Sequence, residues 1–129
     1  MKIRNALIIS PEFNTAIQKL LKKEIPISLC LELSKVVEEI DTQVKIVNRA
    51  RQAILEKYTK KDEKGKFMVD ADGNALFVDD TIKNKCLKEL TGILNEELDI
   101  SLEKKVPLSK DDKMTSQEFI LLKDLIEVI

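Results

Sequence analysis

Between Ile27 and Tyr58, the apolar residues Leu33, Val37, Ile40, Val44, Val47, Ile54 and Tyr58 recur at alternating steps of four and three, with one gap at Arg51. That period is the packing stripe of a long helix laid along another helix, as in a coiled coil. The stretch follows Pro26 and contains no Gly or Pro, so the pattern predicts one helix over 27–59. Its charged residues cancel, with five acidic and five basic side chains. Near its start Ile27, Leu29, Cys30, Leu31 and Leu33 leave little polar surface. That end is expected to be enclosed by the first helix and the C-terminal segment.

The remaining elements arrange themselves around this rod. Residues 1–9 suit a short strand or an apolar arm. Ser10-Pro11-Glu12 is a helix start: a hydroxyl for the cap, Pro at the first position, and an acid at the positive end. Phe13, Ala16, Ile17, Leu20 and Leu21 then recur at helical spacing, predicting a helix over 10–24 that ends before Pro26. After the rod comes a charged connector, KKDEKGK, and then FMVDADGNALFV, two β-prone runs around an Asp-Gly turn. They predict a β-hairpin over 66–79.

Asp79-Asp80 caps a helix over 80–98, striped by Ile82, Cys86, Leu90, Ile93, Leu94 and Leu98. Gly92 inside it marks either a close helix contact or a weak point. Alternation predicts a strand over 99–106, pairing with the N-terminal residues or the hairpin. Thr115 and Glu118 have capping-box spacing and open a last helix over 115–129, with Phe119, Leu122, Leu125, Ile126 and Ile129 on one face.

The expected fold is mainly α with a minor β part: a long α-hairpin carrying a small β-hairpin at its tip, flanked by N- and C-terminal helices, as a single domain over 1–129. The rod is about twice as long as the return helix, so part of its seam needs a cover from the flanking helices or from a second chain. The surface expected to meet a protein partner or a second copy is therefore Val44, Val47, Arg51, Ile54 and Tyr58 on the rod, with Phe67 and Phe77 just beyond it.

Composition narrows the chemistry. There is no His among 129 residues, which removes Ser-His-Asp and Cys-His catalysis and His-based metal sites. Cys30 and Cys86 make no disulfide framework, and each sits on an apolar helical pattern, as a small buried hydrophobe would. Cys86 beside Lys85, or Asp70 with Asp72, would be the centre of an enzyme, but neither has an acid–base helper. No catalytic residue and no cofactor is expected.

Asp70-Ala71-Asp72-Gly73-Asn74 has the look of a calcium loop. Counting from Asp70, however, puts Ala75 where an EF-hand needs Gly and Thr81 where it needs Glu, so the segment reads as a turn. Glu38, Glu39 and Asp41 read as a solvated helix face, and no metal site is expected. Net charge is −1 with four Phe, one Tyr and no Trp, against nucleic-acid binding, for which Lys19, Lys22, Lys23, Arg49 and Arg51 would be the contacts. No apolar run is long enough for a signal peptide or a membrane span, and the expected location is the cytoplasm.

Two resemblances follow from these residues. The order helix, β-hairpin, helix over about 27–98 is similar to the prefoldin β-type chaperone subunits, and implies a holdase. Lys57-Tyr58, then Lys61-Asp62-Glu63-Lys64-Gly65, then Val69-Asp70-Ala71-Asp72-Gly73-Asn74 resembles the KYgekDedG…vdenGn pattern of a group of small bacteriophage proteins of unknown function. That likeness implies a phage or prophage protein in the host-cell cytoplasm or the virion. It would be non-enzymatic and act through helical surfaces, in virion assembly or on a host protein. Inhibition of a host defence system fits the same features.

Overall fold

The computed structural model describes residues 1–129. In chain order the elements are β1 (Lys2–Arg4), α1 (Asn5–Ile8), α2 (Pro11–Leu21), α3 (Ile27–Tyr58), α4 (Asp80–Asn95), β2 (Glu97–Asp99), β3 (Val106–Leu108), α5 (Ser116–Leu122) and β4 (Ile126–Val128). The fold is mainly α with a minor β part. The chain, expected as one domain, divides into two compact units: Met1–Val44 with Glu97–Ile129, and Lys45–Glu96. Helix α3 contributes its first part to the larger unit and its last part to the smaller.

The larger unit holds the main core. Ser10 caps α2 by accepting from the Phe13 amide at 3.3 Å, and Pro11 occupies the first turn. This aims Phe13, Ala16, Ile17 and Leu20 inward, against Leu29, Leu33, Val36 and Ile40 of α3. Strands β1 and β2 pair antiparallel, with Lys2 opposite Asp99, Ile3 opposite Leu98 and Arg4 opposite Glu97. Ile3 is buried between exposed Lys2 and Arg4, which sets the register: a slip by one residue would turn the core face outward. Buried Asn5 has a partner, since the Gln43 side-chain amide donates to its Oδ1 at 2.9 Å.

Three sequence expectations change here. The helix expected over 80–98 stops at Asn95, and Leu98, counted on its stripe, lies in β2 opposite Ile3. The last helix, expected over 115–129, ends at Leu122, and Ile126–Val128 forms β4, parallel to β3. Positions 119, 122, 125, 126 and 129 do fit a helical stripe. But Ile126-Glu127-Val128-Ile129 also alternates and is rich in β-branched residues, and pairing with Val106–Leu108 decides in favour of a strand. The strand expected over 99–106 is two shorter ones, β2 and β3, at either end of that range. Only the pairing of β2 with the N-terminal residues was foreseen.

Helix α5 is tied to α2 through one carboxylate. Thr115 and Glu118 form the expected capping box, and Glu118, buried, also accepts from Lys19 Nζ at 2.6 Å. The Lys19 ammonium, and then the Thr115 amide, hold the Glu118 carboxyl below the usual carboxylate range despite its burial. Lys23 and then the Ser109 amide do the same to Asp112. A carboxyl depressed in the folded state adds stability that is complete above its unfolded value and is lost as pH falls through the folded one. Acid should therefore lower the unfolding midpoint. In Glu118→Gln the midpoint should be lower at neutral pH and its fall in acid shallower, as read by thermal unfolding at a series of pH values.

In the smaller unit α4 returns along the end of α3. Asp79 caps α4 by accepting from the Ile82 amide at 2.8 Å. Val47 of α3 and Cys86 of α4 are closed off, and Lys57 pairs with Glu89 at 3.5 Å. A Cβ at Gly92 would meet nothing within 4 Å, so this glycine serves no close contact and weakens α4 by about 1 kcal/mol relative to Ala.

Candidate interaction surface

The seam that suggested a partner site is partly closed within the chain. Leu33, Ile40 and Val47 are buried, and Val37, Val44, Ile54 and Tyr58 are half-buried. Val47 keeps 1 % of its surface, and Val44 packs on the main core. Arg51, the gap in the stripe, is half-buried, as is Phe77. Of the seven residues expected to meet a partner, Phe67 alone is exposed, at 42 %. Val47, which the helix lengths alone would leave open, is thus closed within the chain.

The start of α3 also departs from expectation. Leu29 and Leu33 are buried, but Ile27 is 79 % and Leu31 61 % exposed. Cys30, expected inside, is exposed with its Sγ 3.6 Å from the Ile25 carbonyl. One helix face can be covered by one layer, and here only the 29/33/36/40 face is. Cys86 is buried as expected, and desolvation, then the Glu89 charge, pushes its thiol upward. That opposes the thiolate a nucleophile needs. Lys19 and Lys23, proposed nucleic-acid contacts, are paired with Glu118 and Asp112.

Phe67 belongs to the tip, the segment joining α3 to α4. Its backbone closes a ring of three hydrogen bonds. The Met68 amide donates to the Lys60 carbonyl at 2.8 Å, the Leu76 amide to Met68 at 3.0 Å, and the Lys60 amide to Leu76 at 2.7 Å. The three positions are eight residues apart. Each interval holds the same turn. Asp62 Oδ1 accepts from the amides of Lys64 and Lys66, both at 2.9 Å; Asp70 Oδ1 accepts from those of Asp72 and Asn74, again at 2.9 Å. Gly65 and Gly73 follow with φ of +80° and +82°, a conformation that glycine adopts without penalty.

The expected hairpin is thus the second of two equivalent turns, bridged at Val69–Ala75, with Lys61–Phe67 bridging the first. The sequence carried the signal: Asp-x-x-Gly occurs at 62–65 and again at 70–73. Reading 60–66 as a connector hid it.

The two turns differ in charge. The first carries Lys60, Lys61, Lys64 and Lys66 against Asp62 and Glu63; the second carries Asp70 and Asp72 and no cation. Lys61 Nζ lies 5.2 Å from the centroid of the Phe67 ring. Between the turns Phe67 and Val69, 58 % exposed, present an apolar centre. No three His, Cys, Asp or Glu side chains gather anywhere in the protein in a way that would hold a metal ion, and no helix is long and apolar enough to cross a membrane. Compared with family models, curated proteins and solved structures, the chain matches none.

Proposed function

We propose that this is a non-enzymatic protein of phage or prophage origin that works by protein–protein contact, in virion assembly or on a host protein, and that the tip is its contact surface. The observation that carries the reading is the pairing of exposed Phe67 and Val69 with charged turns whose backbone is hydrogen-bonded to itself. Apolar side chains rimmed by charge on a preorganised loop lose little freedom on binding, which is what small recognition surfaces need. The upward-shifted Cys86 thiol and the self-engaged Asp70 carboxylate weaken the two enzyme centres that the sequence offers.

The test is a photocrosslinking residue, benzoylphenylalanine, placed at Phe67 in the cells that make the protein, with Glu38 on the exposed face of α3 as the control position. Illumination is expected to give a discrete higher-mass adduct from position 67 and none from position 38. Equal labelling at both positions, or none at either, would remove the tip as the contact surface.

A further inference from the structure

Two turns of the same geometry carry opposite charge at equivalent positions. Lys64 is the third residue of the first Asp-x-x-Gly turn and Asp72 the third of the second. Both side chains are exposed. Each contributes only its backbone amide to its turn. A surface with a basic lobe, an apolar centre and an acidic lobe is complementary to itself under a two-fold rotation. The rotation sets the basic lobe of one copy on the acidic lobe of the other and brings the apolar centres together. An unrelated partner would need an acidic and a basic lobe arranged to match, whereas a second copy always has them.

We propose that the tip docks a second copy of this chain head to head, with Lys64 of each copy facing Asp72 of the other and Phe67 and Val69 between them. This deepens the reading of the tip as a contact surface and rests on it. The patch is small, so the dimer is weak and reversible. Its exposed charge pairs make it weaken with salt.

Four proteins test it by sedimentation equilibrium at low ionic strength: the wild type, Lys64→Asp, Asp72→Lys, and the double variant carrying both. The wild type is expected to move from monomer to dimer mass with concentration and back to monomer with added salt. Each single variant sets like charges against each other and is expected to stay monomeric. A one-to-one mixture of the two single variants restores opposite charges at both contacts and should dimerise, as should the double variant alone. Circular dichroism on each variant establishes that it is folded, which is expected because neither side chain is buried or bonded. A wild type that stays monomeric at its highest workable concentration would overturn the proposal. So would single variants that dimerise like the wild type, or a mixture that stays monomeric. A monomeric wild type whose position 67 still crosslinks to a different polypeptide would sink the second copy while leaving the tip as a contact surface.

Discussion

Leu33→Ala is expected to cost about 2–5 kcal/mol of stability, and Leu31→Ala, two residues earlier on the same helix, less than about 0.5 kcal/mol. Leu33 is fully enclosed among α2 and α3 side chains, whereas Leu31 stands in solvent. Truncating the first leaves a cavity that the helix backbone cannot collapse to fill. Truncating the second removes atoms that touch little, and Ala is as good a helix former as Leu. Because small domains are stable by only about 5–15 kcal/mol, the first change consumes a large share of the total. Urea unfolding of the two variants beside the wild type reads both numbers. A Leu31 loss as large as that of Leu33 would mean that something covers the outer face of α3, and a second copy or partner would have to be sought there instead of at the tip.

This pair of leucines marks where the sequence stops being informative. The starts of α2, α4 and α5 were legible because they depend on neighbours in the chain: Ser10 with Phe13, Asp79 with Ile82, Thr115 with Glu118. The buried face of α3 was legible too, since a stripe at steps of four and three has one geometry. What lies on the other face was not. Ile27 and Leu31 are apolar whether or not anything covers them, and only the tertiary fold decides. The same limit explains β4. Ile126-Glu127-Val128 fits a helical stripe and a strand alternation equally well, and the choice rests on β3, whose paired residues lie twenty positions away. Val47 shows the same limit: counting helix lengths leaves it open, and in the fold it is closed.

Three glycines sharpen the remaining question, how much the tip is a structure in its own right. None of them has an atom within 4 Å of an added Cβ, so replacing each by Ala tests backbone conformation without any clash. Gly92 lies in α4 with helical geometry, and Gly92→Ala should stabilise the protein by about 1 kcal/mol. Gly65 and Gly73 hold φ near +80°, where a Cβ costs about 1–2 kcal/mol per residue. The double variant Gly65→Ala, Gly73→Ala should therefore lose about 2–4 kcal/mol, but locally. The turns are exposed and contribute none of the side chains of the main core, so the loss falls on opening of the tip before it reaches global unfolding.

Hydrogen exchange at the Lys60, Met68 and Leu76 amides, which close the ring, should quicken by roughly 30- to 1,000-fold, the same free energy at 1.36 kcal/mol per factor of ten. Amides in α2 should stay near their wild-type rates. If the ring amides exchange freely already in the wild type, the turns are not held by the ring and the preorganisation argued for the contact surface is absent. If α2 quickens in step with them, the tip and the main core open as one cooperative unit. A local response would establish that an eight-residue turn, used twice, is enough to make an autonomous platform. It would also explain how two copies of one turn can carry opposite charges at Lys64 and Asp72, since those side chains take no part in what holds either turn together.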